Sequence, residues 1–169
     1  MDRLKLALVS CGFLGCSPFA PGTFGTLGGV AIAWALSGLS NFGAWALGAA
    51  LLIYLVTRHL GEWAEQYAGK KDPGIFVQDE VVGYLVTIAW FDGPTPLALL
   101  VAFFVFRVLD VIKPQPCRRL EKVGKTLGGF WKSGDGILLD DVMAGVYGFL
   151  VMWAARTWVL TPADWSLGG

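Results

Sequence analysis

The stretch Phe106-Arg107-Val108-Leu109-Asp110-Val111-Ile112-Lys113-Pro114 closes an apolar run that begins at Leu97. Read as a helix, it sets Arg107, Asp110 and Lys113 three residues apart on one stripe, two cations flanking a carboxylate at the end of a hydrophobic rod. A solvated helix end or a structural ion pair would explain the triplet by itself. Three other stretches can give it partners: Ser17 to Thr26, Asp72 to Gly83, and Gly134 to Gly145.

Working outward, composition sets the solvent. The 169 residues are 55% hydrophobic and 15% charged, against about 25% charged in an average globular chain, with a mean hydropathy of +0.59. That balance points to lipid. Formal net charge is zero, so no overall basic field argues for nucleic acid, and no aromatic-basic interleaving of a single-strand reader is present. Nothing points to a particular protein partner. The length suits one domain over 1–169. Three unpaired-looking cysteines, Cys11, Cys16 and Cys117, suggest no disulfide framework.

The pattern along the chain is all-α. Residues 1–14, with Arg3 and Lys5 among leucines, read as a short amphipathic helix along an interface, kept rather than cleaved as a signal peptide. The stiffened loop Ser17 to Thr26 opens a helix. Leu27–Leu39 and Phe42–Val56 form one apolar hairpin across Ser40-Asn41, and Val81–Phe91 and Leu97–Ile112 form another across Asp92-Gly93-Pro94-Thr95-Pro96. Val142–Leu160 is the last apolar run. Between the hairpins, Thr57–Lys71 is polar and aqueous, with Asp72 placed to cap the next helix. The expectation is a helical bundle with about four membrane spans. Each run is short for the roughly 20 residues that cross a hydrocarbon core, with Trp34 and Trp45 available as interfacial anchors.

Lys and Arg cluster at the N-terminus, in 58–71 and in 107–132, whereas the turns at 40–41 and 92–96 carry none. By the positive-inside rule the basic segments face the cytoplasm. All four key stretches then fall at cytoplasmic helix ends. The adjacent acids Asp79-Glu80 and Asp140-Asp141 are about 100° apart around a helix, so one of each pair can face inward. N-capping of an apolar helix explains either pair as well. Together with Asp110 these carboxylates would repel unless a cation compensated them, and a donor set without usable His or Cys favours Mg²⁺ or a similar hard ion. Arg107 and Lys113 could hold a phosphate, and Thr23, Thr26 and the amides of the Gly22–Gly25 turn form a candidate anion cradle. His59, the one histidine, reads as an ordinary polar residue.

These residues resemble the phosphatidylglycerophosphatase A family. The matches are Ser17-Pro18-x-x-Pro21-Gly22-Thr23-x-Gly25, Asp72-Pro73 with Asp79-Glu80-x-x-Gly83, Phe106-Arg107-x-x-Asp110-x-x-Lys113-Pro114, and Gly134-x-Gly136-Ile137-x-x-Asp140-Asp141-x-x-Ala144-Gly145. The resemblance implies an all-helical, Mg²⁺-dependent lipid phosphatase of the bacterial inner membrane. Such an enzyme converts phosphatidylglycerophosphate to phosphatidylglycerol with its site facing the cytoplasm. Asp135, between the two glycines, is additional and has no assigned role. No cysteine has an arginine six positions on, no Asp-x-Asp follows a strand, and one histidine cannot make a catalytic pair. A metal-activated water is the route left. The catalytic candidates are Asp79, Glu80, Asp110, Asp140 and Asp141. The metal candidates among them are Asp79, Glu80, Asp110 and Asp141, with Arg107, Lys113, Gly22, Thr23 and Thr26 on the phosphate. Two other classes fit the acids less well: an ion transporter, which needs them along a pathway rather than at one end, and an alcohol phosphatidyltransferase, which needs aspartates repeated along two helices.

Overall fold

A computed structural model describes residues 2–89, 93–120 and 133–158. The described residues form eight α-helices and one 3₁₀ turn: α1 (Asp2–Val9), the turn Leu14–Cys16, α2 (Pro21–Leu36), α3 (Phe42–Thr57), α4 (Gly61–Ala68), α5 (Gln78–Ile88), α6 (Pro96–Ile112), α7 (Cys117–Leu120) and α8 (Ser133–Trp158). The all-α expectation is met. The basic segment around Lys122, Lys125 and Lys132, the Asp92 end of the second hairpin turn and the tail from Thr161 lie outside the described residues.

α5 is the axis of the bundle, packed by α8, α2, α3 and α6. Val81, Val82, Gly83, Tyr84, Leu85, Thr87 and Ile88 are all buried, so its apolar character comes from a protein core and not from lipid contact. This overturns part of the four-span expectation. An 11-residue helix reaches only about 16 Å, about half of a hydrocarbon core. Among the described residues one helix segment, Gly134–Thr157, is long and apolar enough to cross a membrane, and 44% of its most apolar window is buried. α3 and α4 pass the same test together, although they meet at a 58° bend. The hairpin helices α2, α3 and α6 are 16, 16 and 17 residues long. The short apolar runs in the sequence were therefore real helices, and the turns between them ended each one early.

Glycines set how closely α5 and α8 approach. A Cβ built on Gly83 would lie 2.5 Å from Phe106 and 2.6 Å from the Asp141 carbonyl oxygen, and one on Gly145 would overlap the Gly83 backbone. Further along, Gly148 faces Thr87, whose hydroxyl donates to the Gly83 carbonyl at 3.0 Å and the Gly145 carbonyl at 3.4 Å. Small residues on facing stripes let two helix backbones nearly touch. The pairs Gly83–Gly145 and Thr87–Gly148 rise in the same chain direction, so α5 and α8 run parallel.

The start of α8 is locked to the end of α3. Asp135, fully buried, accepts a hydrogen bond from Tyr54 at 2.5 Å and an ion-paired one from Arg58 at 2.7 Å. Gly134 packs on the Arg58 backbone. The segment Gly134-Asp135-Gly136, a loose connection by composition, is thus the first turn of a long helix. The polar helix expected within 57–71 is α4, and His59 is exposed there.

Candidate active site

Three helices deliver charged side chains to one end of the bundle, and a fourth delivers its N-terminus. α5 brings Asp79 and Glu80 in its first turn, where the helix dipole favours carboxylates. α6 brings Arg107 and Asp110 near its C-terminus, α8 brings Asp140 and Asp141, and α2 brings its N-terminus at Pro21-Gly22. The opposite end carries the connections 37–41 and 93–95, and Gly43 at the start of α3 abuts the Ala89 carbonyl there. Acids and bare turns therefore lie at opposite ends, as the charge pattern predicts.

Asp79, Glu80 and Asp141 each place one carboxylate oxygen within 4.8 Å of the others. The side chain of Glu80 is 14% exposed, so the group has an open edge. Yet, among the described residues, Asp79 Oδ1 and Glu80 Oε2 are buried atoms with no hydrogen-bond donor. Burial, then the nearby Glu80 and Asp141 charges, push the Asp79 carboxyl well above its ordinary range. Burial likewise raises Glu80, with Asp110 adding to the effect and Asp79 and Arg107 opposing it. Crowded carboxylates without donors fit a divalent cation, because oxygen-only ligands that lack other partners are what a hard ion requires.

The remaining candidates divide. Asp110 is buried beside Asp141 and accepts from Arg107 Nη1 at 2.5 Å. Glu80 Oε1 lies 3.8 Å from that same nitrogen. Gly22 makes this crossing possible, since a Cβ there would run into Glu80 and stand 3.2 Å from both terminal guanidinium nitrogens. Asp140 and Asp141 are two turns inside α8, so the N-capping alternative is overturned for that pair. Asp72 does not cap α5 either: it sits in a left-handed turn (φ 48) and the cap position is Val77.

Three phosphate-side expectations change. Lys113 is not on the Arg107–Asp110 stripe. It is the C-cap of α6 in the left-handed conformation (φ 46), and its ammonium pairs with Asp140. Burial works against the charged lysine, but Asp140 and then Asp141 and Asp110 hold its pKa above the usual value. Thr26 is fully buried and donates to the Gly22 carbonyl at 2.9 Å, which puts it beneath the site as a helix residue. The amides of Thr23 and Phe24 donate to Ala20, so the turn keeps less anion-binding capacity than its glycines suggested. Thr23 is partly exposed next to Gly22 in the chain.

The Lys113–Asp140 pair has a measurable role. Lys113→Ala removes the cation from a nearly buried carboxylate, and breaking such a pair costs about 2 kcal/mol or more once the partial exposure of the lysine is allowed for. Unfolding of the purified protein should show that loss, and Lys113→Arg should recover most of it. Equal stability of the alanine variant would contradict the pairing.

Comparison with known proteins converges on one family. Residues 7–156 match the model of the family described as phosphatidylglycerophosphatase A. A Bacteroides thetaiotaomicron protein provisionally named a phosphatidylinositol-3-phosphatase is 35% identical over 166 residues, covering 90% of this chain and 94% of its own length. The phosphatidylglycerophosphatase A of Haemophilus influenzae is 33% identical over 83% of this chain and 82% of its own, and that of Escherichia coli is 31% identical over 86% and 82%. No solved structure matches the chain.

Proposed function

The chain belongs to the phosphatidylglycerophosphatase A family of lipid phosphatases, and on that footing we propose that it hydrolyses the terminal phosphomonoester of phosphatidylglycerophosphate at the cytoplasmic face of a bacterial inner membrane. The observation that carries this reading is the carboxylate group Asp79, Glu80 and Asp141, set beside a partly exposed arginine. Phosphoryl transfer requires a place for negative charge and for an attacking oxygen, and those side chains supply both.

Asp79, Glu80 and Asp141 would hold Mg²⁺, with Asp110 supporting Asp141 from behind. When bound, such an ion lowers the pKa of a water and screens phosphate charge. Arg107 is the phosphate-facing cation. Both neighbouring carboxylates approach its Nη1 and its side chain stays 21% exposed, which leaves other donors of the fork for phosphate oxygens. Gly22 lets Glu80 and the guanidinium pack against the N-terminus of α2, with the partly exposed Thr23 next to it in the chain. A carboxylate oxygen of the group takes the proton of the attacking water as the new P–O bond forms. The bond to the glycerol oxygen breaks, and that oxygen leaves as the alcohol after taking up the proton held by the carboxylate. Lys113, engaged with Asp140, positions that part of α8.

The surface supports membrane insertion. Leu51, Leu52, Leu55, Leu100, Phe104, Val108, Val111, Leu150 and Trp153 are exposed along α3, α6 and α8, and large apolar side chains left exposed in such number fit a lipid-facing surface. Acids gathered at one end, instead of along a path through the bundle, favour hydrolysis over ion transport.

The test is inorganic phosphate release by the full chain in mixed micelles. Phosphatidylglycerophosphate should be hydrolysed with Mg²⁺ present and spared after chelation. Release that survives chelation would remove the metal from the reading. The name of the Bacteroides relative makes phosphatidylinositol 3-phosphate the comparison substrate, and a higher kcat/KM on it would replace the glycerol headgroup in this proposal.

A further inference from the structure

α2 and α6 both end at the phosphate side of the site, through Gly22 and Arg107, and between them runs an apolar groove. Its walls are Leu27, Val30 and Trp34 on α2 and Leu99, Leu100 and Phe103 on α6. The helices are antiparallel here, since α2 leaves the site and α6 returns to it. At 1.5 Å per residue, Leu27 and Phe103 lie about 6–8 Å along the helices from Gly22 and Arg107, and Trp34 lies about 18 Å along. The groove holds about 290 Å³, close to the lower end of the roughly 300–1,000 Å³ of ligand pockets.

Its floor is fixed. Tyr84 is fully buried, with its ring against Gly29 of α2 and its hydroxyl donating to the Leu99 carbonyl of α6 at 2.9 Å. One side chain thus sets the spacing of both walls, so the groove exists before anything enters it.

We infer that this groove is the acyl-chain subsite of the enzyme and seats one fatty-acyl chain of the lipid whose phosphate lies at Gly22 and Arg107. The inference rests on the lipid-phosphatase reading and adds where the tail goes. What selects the substrate's own chain over bulk lipid is continuity: the walls that grip the tail are the helices that present the phosphate site. A second groove, lined by Tyr54, Val82 and Leu139 among others, lies on the side of α5 away from α2 and α6. A third, between α6 and α8, shares only α6 with the phosphate side.

Leu100 is half-exposed and lies outside the buried core cluster, so Leu100→Trp fills the groove without opening the bundle. kcat/KM is measured for long-chain and for short-chain diacyl phosphatidylglycerophosphate in mixed micelles. The long-to-short ratio should fall about tenfold, the scale on which a hydrophobic pocket discriminates by size. Leu51→Trp, which obstructs the second groove instead, should leave the ratio as in the wild type. In parallel, phosphatidylglycerophosphate carrying a diazirine in its acyl chain should label 27–34 and 99–103, and Leu100→Trp should reduce that labelling. An unchanged ratio, or an equal fall with Leu51→Trp, overturns the subsite and assigns the groove to bulk lipid. Should the wild type release no phosphate from either lipid, the phosphatase reading fails, and the labelling pattern still decides for or against the groove.

Discussion

Asp79→Asn is expected to lower kcat by about a thousandfold or more while leaving the protein folded and no less stable. The first half follows from chemistry. An amide keeps the shape of the carboxylate but loses the charge and one acceptor site, so the three-oxygen group formed with Glu80 and Asp141 no longer matches a divalent ion. Such an ion contributes several kcal/mol to a phosphoryl transition state, and each 1.4 kcal/mol is about tenfold in rate. The second half follows from electrostatics. Burial and the charges of Glu80 and Asp141 already hold the Asp79 carboxyl well above its ordinary pKa, so in metal-free protein its ionised form opposes folding. A group whose folded pKa is raised in this way binds more protons folded than unfolded. Its destabilising effect is absent at low pH and grows as pH rises above the unfolded carboxylate value. Asparagine removes that effect, so chelated Asp79→Asn should unfold at the same temperature as chelated wild type, or higher, near neutral pH. Phosphate release and thermal unfolding in the presence of a chelator measure the two halves separately. Retained turnover would sink the metal assignment, and a fall in both would make Asp79 a structural residue.

How much of this site was legible in the sequence depends on which forces placed each residue. The helical class and the gathering of acids at one end came from patterns that local physics controls, namely apolar runs, turn residues and charge segregation. Lys113 was misplaced because regular spacing was extended one residue too far. Pro114 disfavours the α conformation at the position before it, and Lys113 turns left-handed (φ 46) and reaches Asp140 instead; that signal was present in the sequence. The start of α8 was not legible in the same way. Two glycines flanking Asp135 read as a loop, whereas in the fold the contact with Tyr54 and Arg58, 81 and 77 residues earlier, anchors the segment as the first turn of a helix. Asp140 and Asp141 consequently looked like helix-capping candidates when they are interior helix residues. For α5, hydropathy reported burial without saying whether lipid or protein provides it, because apolar side chains answer both solvents alike. The distinguishing feature was Gly83, a close-approach residue whose partner Gly145 lies in another helix.

Gly145→Val is expected to have the second large effect, on stability first and on activity through it. The glycine faces the Gly83 backbone, which belongs to the buried axis helix and cannot yield as a flexible side chain would. A single added methylene in a filled core costs about 1–3 kcal/mol, so valine should destabilise by about 3 kcal/mol or prevent folding, and Gly145→Ala should fall within that range. The same substitution separates α5 from α8 one turn from the acids. Gly145→Ala should therefore lose activity beyond what its folded fraction explains, because the gap between Asp79 and Asp141 widens and near-attack geometry tolerates little displacement. Gly48 provides the contrast. It lies within α3 with no described residue near its built Cβ, so Gly48→Ala gains helix propensity and should stabilise by up to about 1 kcal/mol without changing activity. Unfolding curves and single-turnover phosphate release on the three variants would separate these outcomes. If Gly145→Ala proved as harmless as Gly48→Ala, helix proximity would not be what brings the carboxylates together.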